Sequence, residues 1–411
     1  MARSSAYAAI DVGSTKVCAV VGDIARSGDV EIIGVGVAAT RGLRKGVVVN
    51  IDETAQSVQA AVEKAERSSG TKIVSAHVGV SGNHVSSLNN RGIVAISHAD
   101  RLISADDVMR VLEAARTVNI PSNREILHII PRSYTLDGQE GVQNPVGMHG
   151  FRLDVETHII TGAVTSIQNL TKCIRGVGVE VEDLVLQPLA SAEAVLTKDE
   201  REMGVVLADI GGGTTDIAVF VDGSVWHTAI LPVGGYHISN DVAVALRTPF
   251  PTAEDLKAKH GHAMPDMVDP NDTIEVKAFG VETTRRLSRR DLSAVIHARC
   301  QEILEMVALE IKRSGYDTLL PAGLVLTGGV ANLEGIADLA RETVQLPVRI
   351  GVPHGITGLI ETVTNPAYAT AVGLLLWSVN HADVAAEETR RIPFGGIGKR
   401  FAFWVRELLP Q

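Results

Sequence analysis

The chain has 411 residues, more than one hydrophobic core usually supports, so its length predicts at least two domains. Hydrophobic residues make up 45% of the chain and charged residues 21%, which is ordinary for a globular α/β protein. The net charge of −10 argues against broad binding of nucleic acid, and we expect no nucleic-acid partner.

Neither an integral membrane protein nor a secreted protein is expected. No run of residues approaches the roughly 20 apolar positions that a spanning helix needs. Asp11 also interrupts the N-terminal apolar segment before it reaches the length of a secretory signal. Cys18, Cys173 and Cys300 lie far apart, without any C-x-x-C pair, and predict buried thiols in a reducing compartment.

The first informative element is a short turn near the N-terminus that contains Asp11, Gly13, Ser14, Thr15 and Lys16. Apolar runs flank it on both sides, which predicts a β-hairpin rather than a strand entering a helix. Glycine lets the backbone approach a polyphosphate and turn its N–H groups inward as an anion nest, to which the two hydroxyls add donors. The carboxylate of Asp11 is a candidate to hold Mg²⁺ through water.

Further along, residues 84–162 contain strand-like runs at 92–96, 125–130 and 156–160 and one helix near 105–117. Ser104 and Asp106 are the candidate N-caps of that helix.

The pattern of the first hairpin returns in the second half of the chain, again behind an apolar run and led by a carboxylate. Its residues are Asp209, Gly211, Gly212, Gly213, Thr214 and Thr215, followed by Asp216. One such turn is most often only a turn, but two acid-led copies predict two related halves that grip one triphosphate from both sides. Asp209 is the second candidate Mg²⁺ ligand. The chain contains neither a P-loop nor a G-x-G-x-x-G that opens a helix, so those two nucleotide folds are excluded.

Two weaker motifs complete the candidate site. Glu254 and Lys257 stand three apart on a predicted helix and are candidates to bind ribose hydroxyls, although a solvated pair is the commoner meaning of that spacing. An apolar strand at residues 324–327 ends in Gly328 and Gly329, against which an adenine or its ribose would lie. A simple strand-to-helix turn is the alternative there.

The C-terminus carries a different signal. A polar stretch at 380–391 is followed by Pro393 and two glycines, a composition typical of a flexible linker. At helical spacing, the last 16 residues separate an apolar side from a basic one, although Phe403 blurs the division. This pattern predicts a helix that lies in a membrane interface, and the alternative is a helix docked on its own domain. The candidate anchor residues are Ile397, Lys399, Arg400, Phe401, Trp404, Val405, Arg406 and Leu408.

Taken in order, these motifs resemble the superfamily of actin, DnaK-type chaperones and sugar kinases. Two Ala- and Gly-rich segments, one starting at Gln187 and one at 365–376, match its connecting helices, and their composition suits a close crossing at a hinge. In that superfamily Gln187 falls where the residue that orients the attacking water is expected.

The chain resembles one branch, the FtsA family of bacterial cell-division proteins, most closely. The resemblance rests on residues 78–85, 103–115 and above all 124–154, and it runs from about residue 6 to residue 377. It implies an α/β, actin-like (ribonuclease-H-like) two-lobe fold with an inserted α+β subdomain in the first lobe. The implied parts are a first-lobe core (1–83, 163–198, 356–380), the insertion (84–162), a second-lobe core (199–233, 305–355), an outer subdomain (234–304), a linker (381–395) and the membrane helix (396–411).

The resemblance also implies a function. ATP with Mg²⁺ is expected to close the lobes and favour filaments of the protein with itself. The tail is expected to bind lipids on the cytoplasmic face of the inner membrane at the division site. The outer subdomain is expected to bind the C-terminal peptide of the tubulin-like protein FtsZ. Other division proteins are expected as further partners. The sequence leaves open whether ATP is hydrolysed.

Two alternatives remain at this point. The first is a small-molecule kinase of the same superfamily, which would need a catalytic base and a substrate pocket for which no signature is present. The second is a pilus- or secretion-type actin-like scaffold that has no membrane helix of its own.

Overall fold

The structure is a computed structural model that describes residues 6–25, 29–277 and 284–388. The described chain contains two large sheets, one sheet of four strands and two sheets of two strands each. The first lobe opens with β1 (Tyr7–Val12), β2 (Lys16–Ile24), β3 (Val30–Ala39), β4 (Leu43–Arg44), β5 (Val47–Val48), α1 (Ile51–Ser69) and β6 (Ser75–Val80).

A compact insertion follows, with strands and a helix where the sequence predicted them. It consists of β7 (Ser86–Ala95), α2 (Ala105–Arg116), β8 (Arg124–Leu136), β9 (Gln139–Val142) and β10 (Arg152–Ala163). The strands form an antiparallel sheet in the order β7-β10-β8-β9. Helix α2 packs on this sheet and begins at the predicted N-cap Ser104, whose side chain accepts from the N–H of Asp107.

The chain then returns to the first lobe and crosses into the second. The return consists of α3 (Val164–Gly176), β11 (Glu180–Leu186) and α4 (Gln187–Val195). The second lobe contains α5 (Lys198–Met203), β12 (Val205–Ile210), β13 (Thr215–Val221), β14 (Ser224–Leu231), α6 (Gly235–Leu246), α7 (Phe250–His260), β15 (Thr273–Lys277), β16 (Thr284–Ser288), α8 (Arg289–Ser314), β17 (Leu324–Thr327), α9 (Ile336–Val344) and β18 (Val348–Ile350). The last elements are β19 (Ile356–Gly358), α10 (Ile360–Val363) and α11 (Ala369–Glu388).

The two large sheets repeat one strand order. The first reads β3-β2-β1-β6-β11, with β19 added beside β3, and the second reads β14-β13-β12-β17-β18. In both, three antiparallel strands are followed by two parallel ones. The predicted hairpins are therefore equivalent parts of the two sheets, β1-β2 in one lobe and β12-β13 in the other.

The apolar runs before the hairpins become central strands that are buried on both faces. Along β12, Val205 and Leu207 join the core shared with the first lobe, whereas Val206, Ala208 and Ile210 join the core of the second lobe. A strand covered on both faces has to be continuously apolar, which explains the lack of alternation in this run.

The connecting helices α4 and α11 cross at contact distance of their backbones. A Cβ atom placed on Gly373 of α11 would lie 1.7 Å from the carbonyl oxygen of Ala190 in α4. Only a residue without a side chain fits at this point, because protein interiors are close-packed. The expected close crossing of two small-residue helices is thus present.

Two boundaries at this end of the chain differ from the sequence prediction. A 3₁₀ turn at Pro366–Tyr368, capped by the side chain of Asn365, precedes α11, which itself begins only at Ala369. The helix then continues to Glu388, so the first part of the expected linker 381–395 is helical. Its sequence, rich in Ala and Glu, has a high helix propensity that its polarity concealed.

The insertion also contacts the second lobe, although both of its chain ends continue into the first lobe. The Ser87 hydroxyl donates to the backbone carbonyl of Thr228 on β14 at 3.0 Å, and the ring of buried His158 bonds the Thr228 hydroxyl at 2.9 Å. The Arg132 guanidinium lies 4.3 Å from the ring centre of Trp226, also on β14. A relative movement of the lobes therefore has to carry this interface along or disrupt it.

The three cysteines are buried and free, as the sequence predicted.

None of the helices in the described part of the chain combines the length and hydropathy that a membrane span requires.

The helix crossing can be tested by one substitution. Gly373→Ala is expected to lower the free energy of unfolding by about 2 kcal/mol or more, because the new methyl group overlaps a backbone carbonyl. Urea denaturation measures this change.

Gly176→Ala is the matched control, because Gly176 also lies in a helix but a Cβ atom there meets no heavy atom within 4 Å. Alanine has the higher helix propensity, so this control should be neutral or slightly stabilising. Equal stability of the two variants would show that the crossing is not tight.

Candidate functional site

The turn of the first hairpin is closed by backbone hydrogen bonds and anchored to the chain after β3. The N–H of Gly13 donates to the carbonyl of Lys16 at 3.0 Å, and the Thr40 hydroxyl donates to the carbonyl of Gly13 at 2.7 Å. Lys16 extends over the ring of Tyr368, with its Nζ 4.3 Å from the ring centre. The turn is thereby fixed in position with a cation beside it.

The turn of the second hairpin closes in the same way and is anchored to a helix. The N–H of Gly211 donates to the carbonyl of Thr214 at 2.9 Å. The N–H groups of Gly235 and Tyr236, at the start of α6, donate to the carbonyls of Gly211 and Gly212 at 2.8 Å each. These bonds satisfy two of the N–H groups that a helix start leaves unpaired.

The two turns face each other across a narrow gap. A Cβ atom on Gly212 would lie 2.5 Å from Cγ2 of Thr15, and one on Gly213 would lie 2.5 Å from Oγ of Ser14. Larger residues at either position would push the lobes apart, so the glycines allow the close approach of the two turns.

Three carboxylates are buried below the turns: Asp11, Asp209 and Asp216. Asp209 and Asp216 are cross-strand partners in the second hairpin, and Asp11 occupies the equivalent place in the first, opposite Cys18. Their exposed fractions are 8%, 6% and 3%. Like charges directly opposite each other destabilise a sheet, so this arrangement is costly for the fold.

Burial raises the pKa of all three carboxyl groups. The pKa of Asp11 rises to about 7, with the charge of Lys16 opposing the rise, and that of Asp216 rises to about 8, with the charge of Asp209 adding to it. Burial likewise raises the pKa of Asp209, against hydrogen bonds from Ser191 and Thr370 that lower it.

Neutral side chains from the hinge surround these acids. Gln187, the first residue of α4, donates from Nε2 to Oδ1 of Asp11 at 2.8 Å. The hydroxyls of Ser191 in α4 and Thr370 in α11 both donate to Oδ2 of Asp209, at 2.6 and 3.0 Å. The two connecting helices therefore converge on one carboxylate.

The other end of the cleft contains the two weaker motifs. Lys257 donates from Nζ to Oε2 of Glu254 at 2.9 Å and to the Ser239 hydroxyl at 2.8 Å, so the predicted helical pair is present on α7. Gly328 has a φ of 84°, and a Cβ atom there would lie 2.3 Å from Oδ1 of Asp209. Gly329 has no heavy atom within 4 Å of its Cβ position and faces open space.

One cavity of about 560 Å³ joins these parts of the cleft. The predicted residues that line it come from both lobes and from the hinge: Asp11, Gly13, Ser14, Thr15, Lys16, Gln187, Asp209, Gly211, Gly212, Thr214, Glu254, Lys257, Gly328 and Gly329. Residues that lie far apart in the sequence therefore share one space.

Two predicted residues do not line the cavity. Gly213 faces Ser14 and the backbone of Lys45 instead, and the Thr215 hydroxyl donates to the carbonyl of Val233 at 2.9 Å. Gly213 therefore lies in the gap between the two turns, and Thr215 supports its own turn from behind.

Asp216 and Tyr236 also line the cavity, although neither was among the predicted site residues. Asp216 closes the second motif, and its acidic residue type was a usable signal, because it is the cross-strand partner of Asp209 in the register that the short turn sets. Tyr236 lines the cavity too, but nothing in the local sequence distinguishes it from a core aromatic.

The surroundings of the three acids bear on how they would hold a divalent cation. No group of three or more His, Cys, Asp or Glu side chains in residues 6–25, 29–277 and 284–388 is arranged to hold a metal directly. The carboxylates instead accept hydrogen bonds from neutral groups, which leaves their charge without full compensation. A cation bound through water is compatible with this donor set.

The predicted anchor residues, Ile397 to Leu408, lie outside the described residues, so the structure does not bear on that prediction.

Comparison with known proteins identifies the family. A family model described as "Cell division protein FtsA" matches residues 206–373, and one described as "SHS2 domain inserted in FTSA" matches residues 82–161. The cell division protein FtsA of Pseudomonas aeruginosa is 47% identical over 370 residues, which cover 90% of this chain and 88% of that protein. The chain belongs to the FtsA family.

More distant members agree. The FtsA protein of Escherichia coli (strain K12) is 38% identical over 408 residues, 97% of each chain. That of Bacillus subtilis is 38% identical over 394 residues, 96% of this chain and 87% of the relative. The family resemblance stated from the sequence is confirmed, and the chain is a cell-division protein of the FtsA type.

Solved structures confirm the actin-like fold. A chain of the "PilM-PilN type IV pilus biogenesis complex" matches with a TM-score of 0.67 at 16% identity, covering 91% of this chain and 98% of that one. MreB5 of Spiroplasma citri, in a structure bound to ADP, matches with a TM-score of 0.55 at 14% identity, covering 93% and 98%. At such identities the likeness concerns the fold alone.

The buried acids predict a pH dependence of stability. A carboxyl group whose pKa is raised on folding binds its proton more tightly in the folded state. It therefore stabilises the fold below the unfolded pKa, and that stability is lost as the pH rises through the folded pKa. For Asp216 the window runs from about 4 to about 8. In Asp216→Asn, the free energy of unfolding should decrease less across this window than in the wild type. At pH 8 the variant should be the more stable of the two by roughly 1–3 kcal/mol.

Urea denaturation of the purified protein from pH 5 to pH 8 measures the effect. Asp222→Asn is the control, because Asp222 lies in an exposed turn at the far end of β13. Parallel pH profiles of wild type and Asp216→Asn would contradict the assignment of this pH dependence to Asp216.

Proposed function

We propose that the protein is an ATP-binding, filament-forming adaptor that attaches the bacterial division machinery to the cytoplasmic face of the inner membrane. The observation that carries the proposal is the pair of glycine-rich hairpins, one from each lobe, whose turns face each other across one cavity in a chain of the FtsA family.

The cavity suits a nucleoside triphosphate in one orientation. The polyphosphate would lie between the two turns, where backbone N–H groups and the Lys16 ammonium supply positive potential. The ribose would lie beside Glu254 and Lys257, and the base against Gly328 and Gly329. MreB5 of Spiroplasma citri, which has a similar fold, is bound to ADP in its structure, and this supports a nucleotide in a cleft of this class.

Asp11 and Asp209 would hold Mg²⁺ through water, and Asp216 is close enough in the sheet to assist them. The cation would neutralise charge between the phosphates and the buried acids. Gln187 donates one N–H of its amide to Asp11, which leaves its second N–H and its carbonyl oxygen to orient a water molecule. We propose that the nucleotide acts mainly as a conformational and polymerisation ligand, with weak or no hydrolysis.

Asp209→Asn tests the nucleotide site. The change keeps the size of the side chain and removes its charge, so the affinity for Mg-ATP should fall by roughly 10–100-fold, the loss expected for one charge-assisted contact. Because burial raises the pKa of Asp209, removing the charge should not destabilise the fold.

Calorimetric titration with ATP and Mg²⁺ gives the affinity, and a thermal melt without nucleotide verifies folding. Asp222→Asn again provides a matched exposed control. A variant that folds and binds ATP as tightly as wild type would refute the site.

Membrane attachment would come from residues 396–411. A helix of roughly 15 residues is marginal in water and orders on a surface, so a single tail should bind lipid reversibly. A filament that presents many tails gains by effective concentration, by roughly 10²–10⁴-fold for linked sites. Polymerisation and membrane attachment would then reinforce each other.

Two changes in the tail test the anchor. Deletion of residues 396–411 should abolish sedimentation with anionic vesicles in the presence of ATP. Trp404→Glu should reduce it at least about tenfold, because a charge replaces a large apolar side chain on the inserted face. Phe403→Glu, which alters an aromatic among the polar positions, should have the smaller effect. Vesicle binding that survives the deletion would eliminate the anchor.

The outer subdomain 234–304 is the proposed binding region for the C-terminal peptide of FtsZ. It combines α6, α7 and the first part of α8 and presents exposed apolar side chains, among them Val244 and Met267. Other division proteins would be recruited to the same assembly. Calorimetry with the FtsZ peptide tests this part, and an absence of heat at micromolar protein would count against it.

A further inference from the structure

The side chain of Tyr236 crosses the cleft from the second lobe to the first. Tyr236 is the second residue of α6, and its hydroxyl donates to the backbone carbonyl of Ser14 at 3.0 Å. Ser14 belongs to the turn of the first hairpin, whereas α6 is tied to the turn of the second. One phenol therefore connects the two turns that face each other.

The base of this connection is rigid. The backbone N–H of Tyr236 donates to the carbonyl of Gly212 at 2.8 Å, so its main chain is fixed on the second hairpin. Its ring packs against Phe250, with 5.5 Å between ring centres. Phe250 is the first residue of α7, the helix that carries Glu254 and Lys257. Tyr236 thus contacts three of the elements that enclose the cavity.

The position of the bond matters as much as its partners. A second hydrogen bond between the lobes, from Ser81 to Asp216 at 2.6 Å, is buried at the base of the hairpins. Tyr236 is instead only half-buried and lines the cavity itself. Separation of the lobes on this side has to break its bond to Ser14.

The phenol remains a hydrogen-bond donor across the physiological pH range. Burial and the nearby carboxylate of Glu254 raise the pKa of Tyr236 above its usual value. The acceptor is a backbone carbonyl, which does not titrate, so the contact is insensitive to pH in this range.

We propose that Tyr236 gates the cleft: its bond to Ser14 holds the lobes together at the phosphate end, and it must break before a nucleotide enters or leaves. This inference rests on the proposed nucleotide site and adds the control of exchange to it. It makes Tyr236 a positioning residue that acts through the relative placement of the two turns.

Tyr236→Phe isolates the hydroxyl, because it keeps the ring and its packing on Phe250. Since the bond blocks passage in both directions, its loss should speed both binding and release of nucleotide. Each rate constant should rise by between about twofold and about tenfold, the range expected for one hydrogen bond. The dissociation constant should change less than either rate. Tyr7→Phe, a conservative change at the start of β1 and remote from the cleft, is the control.

The rates are measured by stopped-flow fluorescence with etheno-ATP and Mg²⁺ on the full-length chain, with a thermal melt of each variant. Faster association and release in Tyr236→Phe, at an unchanged melting temperature and with Tyr7→Phe like wild type, would support the gate. Wild-type rates in a folded Tyr236→Phe would overturn the gate and leave the nucleotide site standing. A wild-type protein that gives no binding signal would overturn the proposed site and the gate together.

Discussion

The close crossing of α4 and α11 is the constraint on which the remaining geometry depends. Because Gly373 has no side chain, the backbones of the two helices touch at Ala190. Only at this separation can a hydroxyl from each helix reach the same oxygen of Asp209. The hinge between the lobes and the acid at the base of the second hairpin are therefore one packed unit, and a change in the helix crossing would be felt at the cleft.

The cleft concentrates an electrostatic cost at its base. Three carboxylates are buried within reach of one another, and their pKa values are raised because burial disfavours the charged form. Hydroxyl and amide donors offset part of this cost but bring no compensating charge. Such an arrangement is characteristic of sites where stability is sacrificed for function, and it accords with a cation and phosphates as the proposed ligands.

The insertion gives this fold a second connection between the lobes. Its chain ends join the first lobe, yet Ser87, Arg132 and His158 contact β14 of the second. The hinge, the insertion interface and the Tyr236 bond lie at different places around the molecule. Lobe movement consequently involves the insertion as well as the cleft, which offers a physical route from the proposed nucleotide site to the surface of the insertion.

Local sequence was sufficient for much of the architecture. The apolar runs around two acid-led glycine turns predicted both hairpins, because strand periodicity and tight turns are encoded within about ten residues. Ser104 was recognisable as a cap and the Glu254–Lys257 pair as a helical pair for the same reason. The family resemblance then supplied the arrangement of the lobes, which no local pattern contains.

Only the tertiary structure decided which residues meet. Tyr236 and Ser14 are 222 positions apart, and Thr370 and Asp209 are 161 apart, so no periodicity relates them. The role of Gly373 depends on the path of a helix that begins at residue 187. The placement of Gly213 in the gap between the turns and of Thr215 behind its turn depends on the segments that pack against them. The sequence determined the elements and their residue types. Packing between distant segments determined which of those residues share the cleft, because contact across the fold depends on three-dimensional proximity rather than on spacing along the chain.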